Sequence, residues 1–327
     1  MKKLTLSIVM AVYSVMFAMP GYTQVSKGFP DKPVTLIIPY SPGGGTDVLG
    51  RILGQKLSTL WGQPVVIENR PGASGLIGAK AAMASKSDGY TLVVGSTGTL
   101  TSVAKSVGVT AKTGFTVSDS LSPITLIAAP PYIVAVTPKL GVKTIPELIN
   151  YAKLNPGKVT YASSGVGSAS HLTGELFKKM TKINIRHIPY KGTGQAVADL
   201  LAGEVSLMFG PAPTLDKHIK SGGMIALAVT PLERSKLFPT LPSVNESGVT
   251  GFESVGWFGL FAPKGTPIEI INKISTDALK ALGSDDVEKQ MAKIGSEPAG
   301  MTIAKFTDFV NRDILKWIIL RSEVVKK

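Results

Sequence analysis

The chain has 327 residues, 44% of them hydrophobic and 17% charged, so it is too apolar for disorder and long enough for two packed cores; a single small domain is excluded. It contains no cysteine, which removes disulfide staples, thiolate zinc clusters, thiol nucleophiles and lipid attachment through an N-terminal cysteine. A formal charge of +13 leaves nucleic acid, an anionic membrane surface and an anionic small ligand open as partners.

Lys2 and Lys3 precede an apolar run over residues 4–19, then Pro20, Gly21 and the polar Thr23. That order is the one of a secretory signal, too short to span a bilayer, with cleavage expected near Thr23. Removing residues 1–23 leaves +11 over 304 residues, and no later stretch reaches spanning length. The mature chain is therefore expected to be exported, soluble and monomeric.

From residue 29 on, short β-rich runs alternate with helical patterns, the mark of open, parallel α/β sheets. Residues 34–39 read as a strand; Leu49, Ile52, Leu53, Leu57, Leu60 and Trp61 recur at helical spacing up to Gly62. Strands at 65–68 and 91–96 around a small-residue helix ending near Lys86 complete a βαβαβ unit. A strand at 123–128 leads through Pro130 and Pro131 to another at 133–137, and Thr144 with Glu147 around Pro146 spells a capping box. Strands follow at 159–163, 185–190, 205–209 and 225–229, with helices between them. A loop-rich stretch up to Gly251 precedes a strand at 257–262; Thr266, Pro267 and Glu269 then spell a second capping box, and the remainder is helical. The expected organisation is a first lobe from residues 24–128 and 232–327 and a second from 129–231, joined by two crossings that leave a cleft at the strand C-termini, where open α/β sheets bind ligands.

Five loops share one construction: a strand ends, small residues follow and a helix starts. The first holds Tyr40, Ser41, Gly43, Gly44, Gly45, Thr46 and Asp47; the second is centred on Thr97; the third holds Ser163, Gly165, Gly167, Ser168 and Ala169; the fourth holds Tyr190, Gly192 and Thr193; the fifth follows Phe209 with Gly210. Glycines let backbone amides approach a ligand, and the next helix adds unpaired N–H groups and the positive end of its dipole, so each loop is a candidate anion cradle. None matches a phosphate-binding fingerprint, because Gly-x-x-x-x-Gly-Lys-Ser/Thr is absent and Gly43, Gly45 and Val48 miss the third glycine of the dinucleotide pattern. No cofactor is expected, and a small carboxylate suits such cradles.

Catalytic groups are scarce. Of three histidines, His171 lies four residues before Glu175 without the rest of a metal motif, and its first-turn position places it near any ligand held at Ser168. Gly72-Ala73-Ser74-Gly75-Leu76 approaches a nucleophile elbow but fails at its last position. Asp47 suits both stabilisation of the helix dipole and orientation of its loop. Lysines and arginines are scattered rather than interleaved with aromatics, so nucleic acid is not expected as a partner.

Taken together, Phe29-Pro30-Asp31-Lys32-Pro33, the 40–47 loop, Glu68-Asn69-Arg70-Pro71-Gly72-Ala73, Asp88-Gly89-Tyr90-Thr91-Leu92, Tyr161-Ala162-Ser163-Ser164-Gly165, His187-Ile188-Pro189-Tyr190-Lys191-Gly192 and Phe261-Ala262-Pro263-Lys264-Gly265-Thr266-Pro267 resemble the Bug (TctC-like) substrate-binding proteins of tripartite tricarboxylate transporters. The resemblance runs in order over essentially all of the mature chain. It implies a type II periplasmic-binding-protein fold, two doubly wound α/β lobes closing on a small organic mono- or dicarboxylate in the periplasm, with integral membrane transporter subunits as partners. It also implies that one carboxylate meets the loop from Tyr40 to Asp47 and Thr97, while residues 165–171 take the other end, with Tyr190, Gly192 and Thr193 nearby. Many members carry aspartate where this chain has Gly210, so a ligand bearing an amine is disfavoured here. Residues 98–114 also depart from the family's Asn-containing pattern. Two rivals remain: a signalling sensor of the same fold, and a hydrolase using Ser163, Ser164 or Ser168.

Overall fold

A computed structural model describes residues 28–109 and 116–324; the expected signal sequence, and residues 110–115 of the divergent segment, lie outside the described residues. The first lobe opens with β1 (Val34–Ile38), α1 (Gly45–Trp61), β2 (Val65–Asn69), α2 (Leu76–Met83), β3 (Thr91–Ser96), α3 (Thr97–Ser106) and β4 (Leu121–Ala128). The second contains β5 (Tyr132–Val136), α4 (Ile145–Leu154), β6 (Thr160–Ser163), α5 (Ala169–Thr181), β7 (Arg186–Pro189), α6 (Thr193–Ala202), β8 (Leu207–Pro211), α7 (Ala212–Lys220) and β9 (Ile225–Val229). The chain then returns as β10 (Phe258–Pro263), α8 (Ile268–Leu282), α9 (Asp285–Ala292) and α10 (Ile303–Val324).

Two five-stranded sheets result, in the orders β2-β1-β3-β10-β4 and β7-β6-β8-β5-β9. Alternate residues of one strand feed opposite cores, as the two-residue period requires. Leu36 and Ile38 pack with Leu49, Leu53 and Ile274, while Ile37 packs with Val93, Phe261 and Phe306 on the other face. The second sheet repeats this, Tyr161 and Phe209 on one side and Ala162 and Met208 on the other. Both faces are covered, as sheets built mainly from parallel strands need.

The sheets are not wholly parallel. β10 runs antiparallel to β3 and β4, and β5 runs antiparallel to β8 and β9. Each is the strand by which the chain enters a lobe from the other. It starts at the cleft edge, where the other strands end, and so must run against them.

The first capping box forms: the Glu147 amide donates to Thr144 Oγ1 (3.3 Å), and Glu147 Oε2 accepts from the amide of Lys143 rather than of Thr144 (2.7 Å). The second does not. Thr266 Oγ1 turns back to the Pro263 carbonyl (2.8 Å), and α8 starts after Pro267 with no side-chain cap. A further difference concerns residues 232–254, expected with the first lobe: Val244, Val249 and Phe252 pack in the second core, so the return crossing lies just before Trp257, which packs in the first. The last helix touches both lobes, since Trp317 packs against Tyr132, Ala169 and Leu172 and Lys179 pairs with Glu323 (2.9 Å). Among the described residues no helix is long and apolar enough to cross a membrane.

Candidate functional site

All five loops meet in the cleft. An enclosed cavity of about 20 Å³ is lined by Tyr40, Gly45 and Thr46 at the start of α1, Ser96 and Gly98 at the start of α3, Ser164 and Ala169 ahead of α5, Thr193 at the start of α6 and Pro211 before α7, with Tyr132 and Phe258 as aromatic walls. No charged side chain lines it. Positive potential there comes from five helix N-termini, the arrangement expected to hold an anion without a countercharge. Thr97 Oγ1 and Thr214 Oγ1, in the first turns of α3 and α7, are buried without a hydrogen-bond partner among the described residues, so two donors remain at these helix starts.

The lobes touch around this cavity. Ser41 Oγ donates to the Lys191 carbonyl (3.4 Å) and Ser74 Oγ to the Val166 carbonyl (2.8 Å). Glycines make the approach possible: a Cβ on Gly44 would sit 2.6 Å from Thr193 Oγ1, one on Gly192 3.0 Å from the Ser41 amide nitrogen, and one on Gly98 2.9 Å from Ser168 Cα. A volume near 20 Å³ is about the room one water requires, so a carboxylate enters only when these contacts part.

Tyr40 is held from three sides. Its hydroxyl donates to the Ser74 carbonyl (2.9 Å) and lies 3.2 Å from Ser96 Oγ and 3.5 Å from Thr99 Oγ1. Burial pushes its pKa up, against the opposing pull of Ser96 and Thr99, so it stays a neutral donor. Tyr132, fully buried at the first crossing, is raised further by the same cause and by the nearby Tyr40.

Other expected ligand contacts turn inward. Asp47 accepts from the Gly43 amide (2.9 Å), Arg51 Nε (3.0 Å) and Asn69 Nδ2 (2.9 Å). Burial would raise its pKa, but these bonds outweigh it and hold the carboxylate below its usual range. Asp47 thus shapes the loop, and it uses the Gly43 amide that was a candidate cradle. Ser163 Oγ, fully buried, pairs with His187 Nε2 (2.6 Å) and accepts from the Gly165 amide (3.1 Å). His171 Nδ1 accepts from the Gly167 amide (3.0 Å), and its ring lies 4.1 Å from that of His187. Burial lowers His171 to about 4 and His187 to about 3, so both are neutral at physiological pH and brace the third loop from beneath. Among the described residues no group of three or more His, Cys, Asp or Glu is placed to hold a metal ion.

Ser168 caps α5, accepting from the His171 amide (3.3 Å). Tyr190 donates to Asp199 Oδ2 (2.5 Å) and lies outside the enclosed cavity. Gly210 points away from the cleft, since an added Cβ would meet Leu215 Cδ1 at 3.0 Å. An acid at that position would face this leucine, so Gly210 is not a cavity residue.

Sequence comparison places the chain in a known group. The profile described as "Tripartite tricarboxylate transporter family receptor" matches residues 49–324. The chain belongs to this family. Protein BugT of Bordetella pertussis is 37% identical over 289 residues, 88% of each chain. Among solved structures, R. palustris Rpa4515 with adipate is 34% identical with a TM-score of 0.82, covering 90% of this chain and 98% of that one. MatC from Rhodopseudomonas palustris with bound malate is 28% identical with a TM-score of 0.82, covering 89% and 99%. The fold is therefore that of the two-lobed periplasmic binding proteins, as the resemblance implied. This chain offers loops at helix starts as its cleft wall.

Ser96, Gly98 and Pro211 lay within or beside the candidate loops without being singled out, and Ser164 was weighed only as a nucleophile. Phe258, an aromatic at a strand start, could be read from the sequence as wall or as core, whereas Tyr132 was not legible as a wall residue. Both open the strands by which the chain crosses between lobes, and only that crossing brings an aromatic strand start to the cleft.

Proposed function

We propose that the mature chain is an exported solute receptor that captures a small organic mono- or dicarboxylate between its lobes and delivers it to a tripartite membrane transporter from the periplasm. The observation that carries this is the convergence of five helix N-termini on a cavity without charged side chains. Such a wall stabilises carboxylate through fixed amides and dipoles, needs little reorganisation, and offers no counterion to an amine. The malate and adipate bound by the two R. palustris relatives are of this class. Hinge closure then seals the anion from water.

A hydrolase is disfavoured. Ser163 is buried and bonded to Gly165 of its own loop as well as to His187, His187 is a weak base at about 3, and among the described residues no carboxylate is hydrogen-bonded to His187 to complete a triad. A thermal-shift screen of aliphatic and aromatic carboxylates, malate and adipate included, tests the reading: a ligand that binds only the folded state raises the midpoint. At least one acid should do so, and failure of the whole set would sink the proposal.

A further inference from the structure

Beside the enclosed cavity lies a much larger groove of about 880 Å³, whose walls include Ser74 and Lys105 from the first lobe, Val166, Lys191 and Gln195 from the second, and Arg321 from α10. The Ser74–Val166 hydrogen bond (2.8 Å) joins the lobes in its wall, so the groove exists only while the lobes meet. Three of its lining residues are cationic and none is acidic.

Arg321 is the unusual one. Its guanidinium lies over Gly167, where a Cβ would come within 2.7 Å of Nη1. Nη1 is buried without a hydrogen-bond partner among the described residues, and no carboxylate pairs with Arg321, Lys105 or Lys191 among them. A guanidinium nitrogen kept from water without a partner is costly. Lys105 and Lys191 line the same groove and add to that cost by like-charge repulsion. An anion between them would reverse the sign of this interaction.

We propose that the groove is a second anion site, completed when the lobes close, for a molecule bearing several carboxylates. Occupancy of the groove then favours the closed form, and by reciprocity closure of the cleft strengthens binding in the groove. This rests on the functional reading only in that the lobes open and close. Several carboxylates can come from a small polycarboxylate or from an acidic peptide segment, and the same cations would hold either.

The test is isothermal titration of the full mature chain at constant ionic strength with benzene-1,3,5-tricarboxylate and, separately, with a hexaglutamate peptide. Lys105→Gln/Lys191→Gln should weaken whichever probe binds by about fivefold to tenfold, two exposed charge contacts' worth. Arg321→Gln should weaken it further. The control Lys264→Gln/Lys293→Gln removes equal charge elsewhere and should bind like the parent. Binding of the tricarboxylate alone assigns the site to small anions, and binding of the peptide to an acidic segment. Binding of neither probe, an unchanged affinity in the double lysine variant, or an equal loss in the control overturns the proposal. The lysine pair, being exposed, keeps the test sound if Arg321→Gln fails to fold. A failed carboxylate screen with the groove variants still separating from the control removes the cleft reading alone; the converse removes the groove alone.

Discussion

Gly194, the second residue of α6, faces the Pro42 carbonyl of the opposite lobe, and a Cβ added there would press on that oxygen about 1 Å inside ordinary contact distance. The substitution Gly194→Ala separates folding from closure. Within its own lobe alanine is the better helix residue, by up to about 1 kcal/mol, and this gain applies whether the cleft is open or shut. The clash exists only when it is shut. Overpacking of this size costs about 1–3 kcal/mol, which lowers affinity for a cleft carboxylate by roughly fivefold to 150-fold. The ligand-free melting midpoint should hold or rise by about 2–4 °C, while titration with the best carboxylate from the screen should show the loss. Unchanged affinity would mean that the lobes do not meet at Pro42 when ligand is bound. A lowered midpoint would mean that Gly194 serves folding, and either result refutes the reasoning.

Gly44→Trp should abolish the carboxylate-induced thermal shift while leaving the ligand-free fold intact, because the intruding group meets Thr193 across the cleft; retained binding would remove this contact from the closed form. Asp47→Ala strips the Gly43 amide, Arg51 and Asn69 of their common acceptor and should cost about 1.5–3 kcal/mol in denaturant unfolding, with weaker carboxylate binding. His171 and His187, lowered by burial to about 4 and 3, are neutral in the fold but take up protons near pH 6.5 once unfolded. Their stabilisation is complete above that pH and is lost as pH falls towards 4, so the melting midpoint should drop across this window and His171→Asn/His187→Asn should flatten the drop. Ser163→Ala leaves the buried Gly165 amide without its acceptor and should destabilise by about 1–3 kcal/mol; ester turnover present in the parent and absent in this variant would revive the hydrolase.

Much of the fold was legible because its signals are local. The apolar period from Leu49 to Leu57, the left-handed Gly62 that ends α1 and the Thr144 cap depend on neighbours within a turn or two. The second capping pattern misled because Thr266 had a nearer acceptor in Pro263. Strand direction in β5 and β10 was hidden, since it follows from where the chain enters each lobe. The loop-rich residues before 254 carried no signal of which core they join, because Val244 and Phe252 would suit either.

At the site the division is similar. Strand ends, glycines and helix starts are written in consecutive residues, and so the amide-rich loops and their affinity for anions followed from composition of each loop alone. Which amides remain free did not, since Asp47 takes that of Gly43 and His171 that of Gly167. The positive charge of the chain left an anionic ligand open while the loops pointed to backbone amides, and no charged side chain lines the cavity. Three cations instead gather in the groove beside it, from positions 105, 191 and 321. Residues that far apart in the chain acquire a common electrostatic role only when two lobes fold and close, because a Coulomb interaction depends on distance in space and no local pattern encodes it.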